Sequence, residues 1–151
     1  MRLFSKSKAL IVVAILLFCC LLFAISIVVD NASLRSFEDA VIDGLSSIDC
    51  ISLKYYKSAC CNTSGTGNNT DLYVAVLVKC NEQDIDKVKS DLSKMSEGGT
   101  YFYVNNFKDG STLAMDIAGI EFDCNIEDSI NYYIIEFIKA APLSFLDIRG
   151  N

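Results

Sequence analysis

Residues 9–29 read ALIVVAILLFCCLLFAISIVV, a run that contains no charged residue, no Pro and no Gly. A helix needs about 20 apolar residues to cross roughly 30 Å of hydrocarbon, because an α-helix rises about 1.5 Å per residue. The run therefore predicts one transmembrane helix, and the rest of the chain is organised around it.

The charges on the two sides of this run predict its orientation. Three basic residues and no acidic residue precede it, whereas acidic residues follow it from Asp30 onward. Basic residues are retained preferentially on the cytoplasmic side of a membrane. We therefore expect residues 1–8 to form a cytoplasmic basic flank, 9–29 a signal-anchor helix, and 30–151 one domain outside the cytoplasm.

A cleaved secretory signal peptide is the alternative interpretation of the same segment. It also begins with basic residues, but its apolar core is normally only about 7–15 residues long. The run at 9–29 is longer, although Ala24 and Ser26 offer the small residues that a signal peptidase prefers. The retained anchor is the favoured interpretation, and both place residues 30–151 outside.

Composition restricts the chemistry of the chain. It contains no His, which removes the commonest general base, the common nucleophile pairs and the commonest neutral metal ligand. Of 13 basic and 19 acidic residues only three basic ones precede the apolar run, so residues 30–151 carry a formal charge of −9. An acidic surface repels phosphate backbones, so we expect no nucleic-acid partner, and no motif indicates a cofactor or a metal site.

The first part of the outer domain predicts a helix followed by a β-hairpin. Apolar residues recur every three or four positions over 33–48, so this helix either continues the membrane helix or breaks from it near Asp30. Residues 51–56 alternate like a half-buried strand, and the denser run 71–80 is typical of a central strand covered on both faces. The polar segment 62–70 between them predicts the hairpin loop.

The second part of the domain is expected to repeat this alternation. A helix capped by Asn81 is followed by a strand at 100–107, an Asp-Gly turn at 108–111 and a returning strand at 112–123. A last helix is predicted over 125–140, where apolar residues form a broad helical face.

Two similar junctions, CNEQD at 80–84 and CNIED at 124–128, lie where a strand is predicted to pass into a helix. A duplicated β-β-α unit explains both, although the capping preferences of Asn and Asp explain them equally well without duplication. The expected fold class is α+β: one transmembrane helix, then a mainly antiparallel four-stranded sheet with helices on one face.

Five cysteines follow the apolar run, at Cys50, Cys60, Cys61, Cys80 and Cys124. An odd number cannot pair completely within one chain. In the predicted hairpin, Cys50 and Cys80 meet at the end away from the loop, so they are the first candidates for a disulfide, with Cys80 and Cys124 second. The equally weighted alternative keeps all of them reduced, as small buried side chains.

The beginning of the hairpin loop combines two kinds of candidate modification site. The adjacent thiols Cys60 and Cys61 lack Cys-x-x-Cys spacing, and acidic surroundings disfavour a reactive thiolate, so we interpret them as structural loop thiols. Asn62 and Asn68 fit the N-glycosylation pattern, whereas Asn31, which also fits it, is expected to lie too close to the membrane.

Six aromatic residues are concentrated on the predicted strands. They are Tyr55, Tyr56, Tyr73, Tyr101, Phe102 and Tyr103. Packing in the core and between strands is the favoured interpretation, and an uncovered sheet face that presents tyrosines to a partner is the alternative.

The function expected from topology, size and missing catalytic chemistry is that of a tethered binding module. We expect a single-pass membrane protein whose outer domain binds or assembles with a protein partner in the cell envelope. The alternatives are a sensor domain that encloses a small ligand, for which an internal apolar cavity is the sign, and an enzyme that uses carboxylates or thiols.

Overall fold

The computed structural model describes residues 3–63, 69–96, 99–122 and 131–143, with side chains from Lys8 onward. The elements are α1 (Leu3–Ser46), β1 (Ile51–Cys61), β2 (Asp71–Cys80), a 3-10 turn (Glu82–Asp84), α2 (Ile85–Met95), β3 (Thr100–Asn106), a second 3-10 turn (Phe107–Asp109), α3 (Leu113–Ala118) and β4 (Tyr132–Ala140). The strands form one antiparallel sheet in the order β1-β2-β4-β3. The α+β class and the four-stranded antiparallel sheet are confirmed.

The apolar run belongs to a single helix of 44 residues, α1, which is about 66 Å long at the usual rise per residue. Its first part exposes large apolar side chains, among them Leu10, Leu16 and Val28. Among the described residues it is the one helix long and apolar enough to cross a membrane, a property that signal sequences share. The helix does not break at Asp30, so the segment predicted at 33–48 continues the helix of the apolar run.

One face of the sheet, here called the α1 face, holds the larger core. Phe37, Val41 and Leu45 lie four residues apart on α1, so they form one stripe that packs on the sheet together with Val88 and Leu92 of α2. Every second residue of the two central strands completes this core: Leu72, Val74, Val76, Val78, Tyr133, Ile135 and Phe137. The second half of α1 is therefore part of the domain.

The opposite face, here called the α3 face, holds a smaller core. Met115 of α3 and Ile120 pack on the intervening residues of the central strands, which are Tyr73, Ala75, Leu77 and Ile134. The sheet is therefore covered on both sides, and the expectation of helices on one face only is wrong. Burial of β2 on both faces is confirmed, since all residues from Leu72 to Val78 are buried.

The returning strand predicted at 112–123 is wrong, because its centre is helix α3. The hydroxyl of Thr112 accepts a hydrogen bond from the backbone N–H of Met115, which caps the helix. Gly119 ends it with φ of 64°, a left-handed conformation in which glycine is favoured. The Asp-Gly segment before α3 forms a 3-10 turn that ends at Gly110, whose φ is 91°. It therefore joins β3 to a helix and not to a returning strand.

The helix predicted over 125–140 is also wrong where it is described, because Tyr132–Ala140 forms the central strand β4. The run YYIIEFIKA is rich in β-branched and aromatic residues, which favour strands. Both of its faces are buried, so it lacks the alternation that identifies a half-exposed strand. Residues 123–130, which include the second junction, lie outside the described residues. Among the described elements, β1, β2 and α2 are followed by β3, α3 and β4, so this order does not repeat a β-β-α unit.

Strand β1 runs back along α1 towards the apolar run. Ser58 donates a hydrogen bond to the carboxylate of Glu38, and the thiol of Cys60 donates to the backbone oxygen of Asp30 over 3.7 Å. We call this end of the sheet the anchor end and the end near Cys80 the distal end. Asn62 follows β1 directly, so it lies at the anchor end.

We predict that the stripe on α1 contributes to the stability of the outer domain. Leu45→Ala is expected to lower the free energy of unfolding by about 2–5 kcal/mol, because it leaves a cavity at a side chain that is fully buried. The measurement is urea unfolding in detergent micelles, followed by far-UV circular dichroism.

The matched control is Leu16→Ala, the same truncation at a side chain that is 59% exposed on the same helix. It is expected to change the free energy of unfolding by less than about 0.5 kcal/mol. Equal destabilisation by both variants would contradict the division of α1 into an anchor and a core helix.

Candidate functional site: a sheet edge beside a buried carboxyl

The two edge strands of the sheet differ in how they are protected. Pairing of β1 with β2 shifts register between Leu53 and Tyr55, and the exposed side chains of Lys54 and Lys57 lie on the same strand. A bulge and lysines are features by which edge strands avoid pairing with other chains.

Strand β3 has none of these protective features. Its pairing with β4 is regular from Thr100 to Asn106, and its sequence TYFYVNN contains no charged residue and no Pro. No described strand pairs with its outer edge. A regular, uncharged edge strand exposes backbone N–H and C=O groups that can pair with another strand.

Exposed aromatic side chains lie next to this edge. On β3, Tyr101 and Tyr103 are 67% and 55% exposed on the α3 face. At the opposite edge of the same face, Tyr55 is 58% exposed. Of the six aromatic residues named from the sequence, core packing holds for Tyr73 and, in part, for Phe102. The other four, Tyr55, Tyr56, Tyr101 and Tyr103, are exposed on the surface, as the alternative interpretation expects.

The start of α3 extends the exposed surface of β3. The hydroxyl of Thr112 reaches Glu136, and Glu136 is the cross-strand partner of Tyr103. Leu113, which follows Thr112, is 70% exposed, and Ile117 one turn later is 39% exposed. We call the exposed side chains of Tyr101, Tyr103, Leu113 and Ile117 the tyrosine surface; exposed apolar patches are typical of binding sites.

A buried polar cluster lies directly beneath this surface. Glu136 on β4 is 3% exposed, and its carboxyl group accepts hydrogen bonds from Tyr73 (2.6 Å), Thr112 (2.5 Å) and Asn105 (2.7 Å). These donors come from β2, the N-cap of α3 and β3 respectively. A buried carboxyl group is costly unless it is hydrogen-bonded, so the cluster fixes these elements to one another.

The pKa values in the cluster indicate a structural role for the phenol. Burial of Tyr73 raises the pKa of its hydroxyl well above the usual range, and the hydrogen bond to Glu136 raises it further. Tyr73 therefore remains a neutral donor at any physiological pH. It holds Glu136 in position and does not act as a base.

A cavity of about 440 Å³ opens between α3 and the sheet, on the same face. It is lined by Phe107, Gly110, Ser111, Met115, Glu121, Phe122 and Ile134. Most of its side chains are apolar, with one hydroxyl and one carboxylate at its border. Its size and lining are suited to a small ligand, although it is open to solvent on one side.

The thiols at the anchor end do not form a reactive pair. Cys60 packs on the α1 face and Cys61 on the α3 face. Burial raises the pKa of Cys61 to about 11, with further contributions from the charges of Asp71 and Cys60. Among the described residues, no cluster of Cys, Asp and Glu has the geometry of a metal site.

The first candidate pair for a disulfide is found close together but unbonded. Cys50 and Cys80 are free thiols near each other at the distal end, where the thiol of Cys80 donates a hydrogen bond to the backbone oxygen of Asn81 over 3.3 Å. The second candidate partner, Cys124, lies outside the described residues, as does the glycosylation candidate Asn68. Asn62 is half-buried directly after β1.

Glu136 and Asn105 are the functional candidates that sequence reasoning missed. Glu136 lies in a segment predicted as helix, where an acidic residue is unremarkable on a solvent-facing side. The sequence feature that could have identified Glu136 is its position as a single acidic residue within the run YYIIEFI. If this run is a central strand, a carboxyl group among so many apolar neighbours must be buried.

Comparisons of the chain with protein-family models, with curated proteins and with solved structures give no match. The functional argument therefore rests on the edge of β3, the tyrosine surface and the buried carboxyl.

We predict that Glu136 stabilises the fold through its three hydrogen bonds. Glu136→Ala leaves one buried donor, Tyr73, and two partly buried donors, Asn105 and Thr112, without an acceptor, so it is expected to lower the free energy of unfolding by roughly 2–5 kcal/mol. In Glu136→Gln, one oxygen still accepts from both hydroxyls and the Asn105 amide can rotate to accept, so less than about half of that loss is expected. Urea unfolding measures both, and equal losses would contradict a hydrogen-bonding role.

We also predict that Cys61 is unreactive in the folded protein. A pKa raised from 9.0 to about 11 lowers the thiolate fraction at pH 8 by about 100-fold, and alkylation should slow by the same factor. The measurement is the rate of iodoacetamide labelling by peptide mass, with the urea-unfolded protein as the reference. Rapid labelling of Cys61 in the native protein would instead support thiol chemistry.

Proposed function

We propose that this chain is a single-pass membrane protein, with its N-terminus in the cytoplasm, whose outer α+β domain binds a protein partner of the cell envelope through β3. The observation that carries the proposal is the unprotected, uncharged edge of β3 beside the tyrosine surface. The opposite edge carries a register shift and two lysines, so the two edges differ in their capacity to accept another strand.

The membrane part of the proposal is supported by α1 and by the charges around it. The helix exposes many large apolar side chains before Asp30, from Leu10 to Val28, a surface that favours lipid around it. Three basic residues and no acidic residue precede the apolar run, whereas residues 30–151 carry a formal charge of −9, and this asymmetry favours a cytoplasmic N-terminus.

The proposed binding mode is addition of an extended segment of the partner to β3. Main-chain hydrogen bonds would supply affinity in this mode, while side chains on alternate positions supply specificity. Tyr101 and Tyr103 occupy such alternate positions, and tyrosine is enriched in the centres of protein interfaces. Because β3 carries no charge, it imposes no electrostatic repulsion on an incoming strand.

The test is Tyr103→Lys in the full-length protein, purified from membranes in mild detergent. We expect the mass of the native complex to fall to that of the free protein, or its affinity to drop by about tenfold or more, because lysine is unfavourable both at an interface core and on a pairing edge. The matched control is Tyr55→Lys, an equally exposed tyrosine on the same face at the opposite edge, which should leave the complex intact.

Two outcomes would contradict the proposal. The first is a wild-type protein that purifies only as a monomer, and the second is equal loss of the complex in both variants. In the same preparation, protease added from outside must remove the domain and leave an N-terminal epitope protected; the reverse pattern would contradict the orientation.

A second candidate function, binding of a small ligand, is favoured by the cavity between α3 and the sheet. Its lining of apolar side chains, with Ser111 and Glu121 as polar groups, fits a small molecule that is mainly apolar. A monomer that retains a small molecule in native mass measurements would support this candidate over protein assembly.

A further inference from the structure

Cys50 and Cys80 are placed together by the register of the hairpin. Cys80, the last residue of β2, pairs with Ile51, the first residue of β1, and Cys50 directly precedes Ile51. Cys50 is therefore one residue from the position paired with Cys80, and both side chains pack into the core of the α1 face. Cys50 lies near enough to Cys80 to contribute to the raised pKa of the Cys80 thiol.

The other described cysteines lie far from this pair. Cys60 and Cys61 lie about 30 Å from Cys50 at the other end of β1, at the usual rise per strand residue. They also face opposite sides of the sheet. Cys19 and Cys20 lie within the apolar part of α1.

We propose that Cys50 and Cys80 are a reversible disulfide pair that locks the distal end of the domain. A disulfide-bearing oxidant such as glutathione disulfide supplies the reaction. The Cys50 thiolate attacks one sulfur of the oxidant and forms a mixed disulfide with it; the S–S bond of the oxidant breaks, and its other sulfur leaves as a thiolate that takes up a proton. Cys80, deprotonated in turn, attacks the Cys50 sulfur and displaces the second thiol, so two protein thiols are oxidised and one oxidant disulfide is reduced.

The order of attack follows from burial. Cys80 is 2% exposed in the core of the α1 face, whereas Cys50 is only partly buried and reaches solvent. Burial also raises the pKa of Cys80 to about 11, so its thiolate is scarce and Cys80 is a poor first nucleophile towards an oxidant in solution. Cys50 is therefore the entry point and Cys80 the resolving residue.

The bond would change how α1 is held. Cys50 belongs to the short connection between α1 and β1, and Cys80 ends the central strand β2. A covalent link between them restrains the C-terminal end of α1 on the sheet. It also closes a loop that contains all of β1, which reduces the freedom of the unfolded chain. This inference does not depend on a partner at β3.

The experiment uses the full-length protein in detergent, treated with glutathione disulfide and then with an alkylating agent before digestion. We expect one linked pair of peptides containing Cys50 and Cys80, a mass lower by two hydrogens, and a higher Tm than that of the reduced protein. The Cys60→Ser/Cys61→Ser double variant should behave identically.

Single variants test the order of the steps. Cys80→Ser should accumulate one glutathione on Cys50, whereas Cys50→Ser should react at Cys80 at least tenfold more slowly. Full alkylation of both thiols in oxidised wild-type protein, which needs no variant, would overturn the proposal. A link from either residue to a different cysteine, or an unchanged Tm on bond formation, would also overturn it.

Discussion

The packing of one helical stripe on the sheet is the contact on which the rest of this structure depends. Phe37, Val41 and Leu45 bury the second half of α1 against the sheet, while the first half of the same helix exposes its apolar side chains. Dispersion and hydrophobic burial against the protein therefore act on only one half of the helix. Since no loop separates the two halves, the domain has no linker by which to move away from the apolar run.

The second layer of the sheet is held by a different kind of interaction. On the α1 face, large apolar side chains interlock, but on the α3 face only a few such residues support the short helix α3. The carboxyl of Glu136 supplements them by accepting from three elements at once. Directional hydrogen bonds fix α3 where apolar area alone is small, and this leaves room for a cavity beside it.

Local patterns predicted those parts of the structure that local interactions determine. The strand 71–80 and the contact of Cys50 with Cys80 were predictable, because a dense apolar run and a hairpin register need no information from distant residues. Strand β4 was missed because burial on both faces removes its alternation, and α3 was missed because TLAMDIAG fits a strand unless Thr112 is recognised as its cap. The candidate edge could not be predicted for the same reason: β3 lies at the edge only because β4 inserts between it and β2, a non-local pairing that no sequence window contains.

The unbroken passage of α1 through Asp30 also has an angular consequence. In an α-helix each residue turns the chain by about 100°, and a rigid connection transmits that turn to everything attached beyond it. The number of residues between the apolar run and Phe37 therefore sets the direction in which β3 points relative to the apolar run. One inserted residue would rotate the domain by about 100°, whereas four would leave it only about 40° from its original direction. The length of the helix therefore sets both the rotational orientation of the domain and its distance from the apolar run.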